Sequence, residues 1–196
     1  MKLFKTLINI LFIIGILNAQ NPEVSSEDFS TRQVHLDFHT SEHLENIGKQ
    51  FDKASWQKTL KDAHVNSINI FAKGHHGYSY YPTKVGTKHP NLDFDLLKAQ
   101  IDASHEIGIK TPLYFAVGWS VLDGVNNPEW IIKNKNGKSK KGDMIRSLKD
   151  EDPYPNFTWE LLMPEGSYLE IILKQTEELC QNYDIDGFWY DIIPNN

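Results

Sequence analysis

The stretch whose reading decides the fold is Val34–Thr40, VHLDFHT. Val34, Leu36 and Phe38 alternate with His35, Asp37 and His39, so a strand here has one apolar face and one polar face. Three further runs read as strands: SINIFAK (Ser67–Lys73), TPLYFAV (Thr111–Val117) and DGFWYDII (Asp186–Ile193). Helical patterns separate them. FDKASWQKTLKDAHV repeats Trp56, Leu60 and Ala63 at helical spacing. LDFDLLKAQIDASHEIG aligns Phe94, Leu97, Ile101 and His105 on one face, with Gly108 placed to close the helix. SYLEIILKQTEELCQNY opens with Ser167 and Glu170 in capping-box spacing.

Strand–helix–strand alternation implies a parallel sheet with right-handed crossovers, either an open doubly wound sheet or a (β/α) barrel. No glycine-rich phosphate turn follows the first strand, which weakens the dinucleotide-binding version. The alternation in VHLDFHT also argues for the barrel. A central strand of an open parallel sheet is apolar on both faces, whereas a barrel strand can turn polar residues toward a catalytic mouth. A complete barrel takes about 250 residues, and this sequence reaches its fourth strand at its end. The expected fold class is therefore α/β, the N-terminal half (four βα units) of a TIM-type (β/α)8 barrel, truncated. Such a half-barrel would leave two sheet edges and an apolar flank uncovered, so self-association is expected.

Residues 1–19 have a lysine-bearing start, a short apolar middle and a small residue at Ala19, the layout of a cleavable signal peptide. The protein is thus expected to be exported, periplasmic or secreted, with no membrane association after cleavage. Residues 20–33 read as a flexible leader and 34–196 as the partial barrel domain. With 26 acidic against 20 basic residues the net charge is −6. The lysine run KNKNGKSKKGD has no interleaved aromatic residues and reads as a solvated loop, so no nucleic-acid partner is expected. Cys180 is the one cysteine, which excludes an intramolecular disulfide and a cysteine-based zinc site, and within EELCQNY it reads as a small hydrophobe buried on a helix packed against the core. Asn156 opens an NFT acceptor sequence that matters only in a eukaryotic secretory route.

Barrel chemistry collects where strands end and in the loops that follow them. The turns entering strands, AHVN, HEIGIK and NYDI, are short and plain. The loops leaving strands hold the histidines, tyrosines, tryptophans and carboxylates, above all GHHGYSYYPTKVGTKHP. Asp191 is the sharpest candidate. It lies near the end of the fourth strand, two residues after Trp189, so the two side chains share a face. A carboxylate beside an indole suits a glycosidase nucleophile, with the ring stacking on a sugar; the plainer alternative is a strand-terminal aspartate capping a turn. His39 is the residue of its strand closest to the mouth, and Asp37 could fix a neighbouring histidine's tautomer. Trp119 could floor a sugar subsite, and Tyr114 could reach the interior. Lys73 is either a site cation or a surface lysine. His39, His75, His76 and Asp191 could alternatively gather a metal, but the H-x-H of metal-binding hydrolase barrels is absent, so no metal and no cofactor is expected.

FAKGHHGYSYYPTKVGTKHP, LYFAVGWS and YLEIILKQTEELCQNYDIDGFWYDI together resemble the hypothetical glycosyl hydrolases related to alpha-L-fucosidases, over Gln33–Ile193. The resemblance implies a (β/α) barrel glycoside hydrolase acting on a carbohydrate substrate by a retaining mechanism, with Asp191 as nucleophile. The fucosidases' first-strand histidine falls on His39. Their Lys-His-His-Asp-Gly-Phe segment becomes Lys73-Gly74-His75-His76-Gly77-Tyr78, with a glycine inserted and the aspartate missing. On this comparison His75 and His76 contact sugar hydroxyls; with His39, and with Lys73, Tyr114, Trp119 and Trp189 taken from their positions at the strand ends, they make up the candidate substrate-binding set. The family's Trp-Phe-Asp-Gly nucleophile segment becomes Trp189-Tyr190-Asp191-Ile192. The second catalytic carboxylate of such enzymes follows the fourth strand, so this chain alone is expected to be inactive; Glu42 and Asp123 lie in exit loops without a motif behind them. The competing expectations are a non-catalytic carbohydrate-binding barrel and a metal-dependent TIM-barrel hydrolase.

Overall fold

In the computed structural model, which describes residues 32–133 and 161–194, the strands that carry the fold run parallel and side by side in chain order. They are β1 (Gln33–His35), β2 (Ser67–Lys73), β5 (Leu113–Ala116) and β6 (Phe188–Asp191). β1 pairs with β2, β2 with β5, and β5 with β6, every pair parallel. Helices α1 (Lys53–Asp62), α2 (Leu96–His105) and α4 (Gly166–Asn182) connect them, with the short α3 (Val121–Asn126) after β5. Residues 1–19, read from the sequence as a signal peptide, most of the lysine run and Asn156 lie outside the described residues. No described helix is long and apolar enough to cross a membrane.

Strands in chain order with right-handed crossovers must carry their helices on one face. The packing shows this. Ile68, Ile70 and Ala72 of β2 and Leu113 and Phe115 of β5 share one buried cluster with Leu60 of α1, Leu97 and Ile101 of α2, and Tyr168, Ile172 and Leu179 of α4. Phe71, Tyr114 and Ala116 point the other way into a second cluster. The result is a mixed α/β domain with a parallel-rich sheet, helix-covered on one side. On the flank at β6 and α4, Leu173, Trp189 and Ile193 are about half exposed or more.

Three local expectations are corrected. The first strand spans Gln33–His35 rather than 34–40, because the outer edge of β2 is shared. Its upper half is taken by the returning segment β3 (Tyr78–Ser79), where Ser79 pairs with Lys73 and the Tyr80 amide donates to Ala72 O at 3.0 Å. β4 (Thr87–Lys88) extends that edge. With its ladder positions occupied, the chain after His35 leaves the sheet. Ser167 does not cap α4 either. The cap position is Glu165, and Ser167 Oγ instead accepts the Trp130 indole N–H at 2.9 Å. Cys180, expected to be packed, is exposed. By contrast Asp52 and Asp95 cap α1 and α2, each accepting an amide from three residues on.

Candidate active site

The inner face of the sheet presents a connected polar cluster built by β5, β6, the turn that follows β2 and the segment that follows β1. The registers Tyr114–Trp189 and Ala116–Asp191 put Tyr114, Trp189 and Asp191 on the same side. Phe71 lies flat under the Tyr114 ring, centroids 4.1 Å apart, which fixes the direction of the phenol. The Tyr114 O–H donates to Asp191 Oδ2 at 2.6 Å. Its oxygen lies 2.7 Å from His75 Nε2. A phenol has one proton to give, so His75 must be the donor in the second contact. The chain of donation therefore runs from His75 Nε2–H to the Tyr114 hydroxyl and on to the Asp191 carboxylate.

A second histidine closes the cluster. His39 stacks on His75, centroids 3.6 Å apart. Its Nδ1 accepts the His75 backbone N–H at 3.0 Å, so the proton sits on Nε2, which meets Asp37 Oδ1 at 2.8 Å. Asp37 thus fixes the tautomer. Gly74 makes the approach feasible: a Cβ there would stand 3.0 Å from the Tyr80 hydroxyl and 3.2 Å from His39 Nδ1. The glycine interposed between Lys73 and the histidine pair is the residue on which the His39 ring closes.

Burial, opposed only partly by Asp37 and Asp191, lowers the pKa of His39. The His75 imidazole is pushed down to about 3, first by burial and then by the neighbouring His39. His76 is lowered chiefly by burial. The Tyr114 phenol is raised, by burial and by its bond to Asp191. Near neutral pH the histidines are neutral donors and acceptors and the phenol holds its proton, a constellation suited to orienting hydroxyls around one carboxylate.

Of the residues singled out from the sequence, His39, His75, Tyr114 and Asp191 are in direct contact. Trp119 meets the His75 ring edge-on at 4.9 Å. Trp189 lies 5.9 Å from the His35 ring and is half exposed, so its face is open to a ligand. His76 follows in the same turn, close enough to Glu42 for that carboxylate to act on it. Lys73 is not brought to this face. β2 and β5 shift register between Phe71 and Lys73, a β-bulge that lets Phe71 pair with Tyr114 while Lys73 pairs with Phe115. Lys73 therefore points to the helix side, 2 % exposed, with its Nζ donating to Asp123 Oδ2 at 2.7 Å. Burial alone would lower its pKa, but Tyr168 and Asp123 outweigh it and the pKa is raised. Asp123, weighed from the sequence as a second acid, is taken up by this ion pair. The missed signal was Ser120-x-x-Asp123, an N-cap serine whose Oγ accepts the Asp123 amide and donates to its carboxylate, tying Asp123 to the start of α3. Among the described residues no group of three or more His, Cys, Asp or Glu is arranged to hold a metal ion.

Residues 52–192 match the family of hypothetical glycosyl hydrolase 6. No curated protein matches the chain. Among solved structures, alpha-L-fucosidase isoenzyme 2 from Paenibacillus thiaminolyticus superimposes with a TM-score of 0.75 at 39% sequence identity, over 86% of this chain and 24% of its own. The alpha-fucosidase of Thermotoga maritima, solved in complex with fucose, shares the fold alone: TM-score 0.50, 19% identity, 74% of this chain and 30% of its own. The chain spans about a quarter of the length of the first of these and under a third of the second.

Proposed function

The chain belongs to the hypothetical glycosyl hydrolase 6 family, related to alpha-L-fucosidases, and from that membership we propose that the protein is a retaining glycoside hydrolase of alpha-L-fucosidase type, exported by virtue of the signal-like layout of residues 1–19. Its four parallel strands are read as the opening walls of a (β/α) barrel, and its substrate as a glycoside of a deoxy- or galacto-configured sugar. The observation that carries the reading is Asp191. It is an inner-face carboxylate that receives the Tyr114 hydroxyl at 2.6 Å, with an exposed indole two residues before it on the same face.

In this reading Asp191 Oδ attacks the anomeric carbon, the glycosidic C–O bond breaks, and a glycosyl-aspartate forms. Water then releases the sugar. Trp189 stacks on the apolar face of the ring, and His39, His75 and His76 bond its hydroxyls. The acid/base partner must be a second carboxyl about 5 Å from the first. Asp123 is committed to Lys73 and Asp37 to His39, so the reading leaves that role to a carboxylate outside this cluster.

Assay of the gene's full product on aryl fucosides and galactosides, beside Asp191→Ala, tests the proposal. Turnover is expected to fall on the order of 10⁴-fold in the variant. A 2-fluoro glycosyl fluoride should add one glycosyl mass to the peptide containing Asp191. An unchanged rate would remove the nucleophile assignment, and saccharide binding without turnover would favour a carbohydrate-binding barrel.

A further inference from the structure

Lys73 spends a fully buried ammonium on the side of the sheet away from the candidate site. A buried ion pair is seldom worth its desolvation in stability, since apolar residues of the same volume often do as well. Its geometry points to another use. Asp123 Oδ2 accepts from Lys73 Nζ at 2.7 Å and from Ser120 Oγ at 2.7 Å, while the Asp123 amide donates back to Ser120 Oγ at 3.2 Å. The ammonium also lies 5.5 Å from the centroid of the Phe115 ring and 5.7 Å from that of Tyr168. These contacts fix the first turn of α3 against the end of β2. That same turn holds the histidines. The Val121 amide donates to His75 O at 3.2 Å and the Leu122 amide to His76 O at 3.1 Å. Gly77, at φ +94°, is packed so tightly that a Cβ would collide with Ser120 Oγ and sit 2.9 Å from Leu122 Cβ.

We propose that the Lys73–Asp123 pair is a positioning device: through Ser120 and the start of α3 it sets the His75–His76 turn, and Lys73 influences substrate only through that turn. The inference rests on the glycosidase reading of the inner-face cluster. Two backbone bonds tie the turn to α3, and the helix that donates them is itself anchored by Lys73 through Asp123. It leaves β2 one bulge away from the residues it positions, so strand, helix and turn move as one unit. A displacement of about 1 Å in such groups costs about 100-fold in rate.

The test compares Lys73→Met, Asp123→Asn and the double variant in the full protein, with thermal melting, ¹⁵N signals of the His75 and His76 rings, and kcat and KM on the best aryl glycoside. Each single variant leaves a polar partner buried alone and is expected to melt lower; the double variant should recover most of that loss. The ring signals of His75 and His76 are expected to stay displaced in the folded double variant, with kcat/KM down about 10- to 100-fold. Wild-type ring signals in a folded double variant, with unchanged kcat/KM, would reduce the pair to a structural one and overturn the proposal. If no glycoside is turned over, the glycosidase reading fails, while the ring signals still decide this inference. Gly77→Ala offers an independent route, since it disturbs the same docking without touching the ion pair, and should displace the same two rings.

Discussion

The two faces of one sheet hold two charged networks made from the same few strands, and they are built on opposite terms. On the helix side, Lys73 and Asp123 meet in a closed setting of Phe115 and Tyr168, with the lysine 2 % exposed. On the inner side, Asp191 stays about a third exposed and accepts from a phenol, with the neutral His75 ring 3.8 Å away, rather than from a cation. A buried ion pair that loses one member suffers a large penalty, so it serves as an anchor. A carboxylate held by neutral donors has no cation to neutralise it, which suits the nucleophile role proposed for Asp191. The division between them is set by one bulge in β2, which sends Phe71 and Lys73 to opposite faces although they are two residues apart.

The largest effect is expected on the inner face, where Asp191→Ala should abolish turnover while leaving the melting temperature close to that of the parent, as activity and melting assays on one preparation would check. On the helix face the order reverses. Lys73→Met should destabilise by about 3–5 kcal/mol, read by urea unfolding, with most of that loss recovered in Lys73→Met/Asp123→Asn. Tyr114→Phe removes one hydroxyl from between His75 and Asp191. A hydrogen bond to a charged group is worth about 1.5–3 kcal/mol, so kcat/KM should fall about ten- to a hundredfold with the fold intact by circular dichroism.

The inner face should also impose a pH dependence. Burial lowers the pKa values of His39, His75 and His76, that of His75 to about 3. In the unfolded chain such rings take up protons near about pH 6.5. Between about pH 6.5 and 3 the unfolded state therefore binds more protons than the folded one. The contribution is fully present above about pH 6.5 and is lost as pH falls through that window. Melting temperatures from pH 7.5 to 4 should show it, and the slope should be shallower in His75→Asn. The smallest effect belongs to exposed pairs. Lys98, 2.9 Å from Asp102 one helical turn on, should cost only about 0.3–0.5 kcal/mol when changed to Ala; a loss as large as that of Lys73→Met would erase the contrast between buried and exposed ion pairs.

Much of the fold was legible because alternation and helical spacing are local signals. SINIFAK spans β2 end to end, α1 and α2 fall inside the segments read as helical, and α4 begins one residue before its segment, at Gly166. The pairing of Trp189 with Asp191 on one face followed from period two alone. The first strand was over-read because alternation in VHLDFHT continues past His35, whereas pairing depends on whether a neighbour's edge is free. That edge is taken by Tyr78–Tyr80, a segment some forty residues away. Lys73 could not be assigned to a face from its spacing, because a bulge changes which side a residue points to without leaving a clear mark in the sequence.

The sequence by itself determined the order of the four parallel strands and the three long helices, and the set of side chains able to meet at the strand ends, because each depends on residues within a turn or two of one another. Only the tertiary structure decided that His39 stacks on His75, that Tyr114 bridges His75 to Asp191, and that Lys73 turns away to Asp123. Those contacts join residues 36 to 77 positions apart. Their geometry is set by strand register, a bulge and the tightness of a glycine turn, which come into being only when the chain packs.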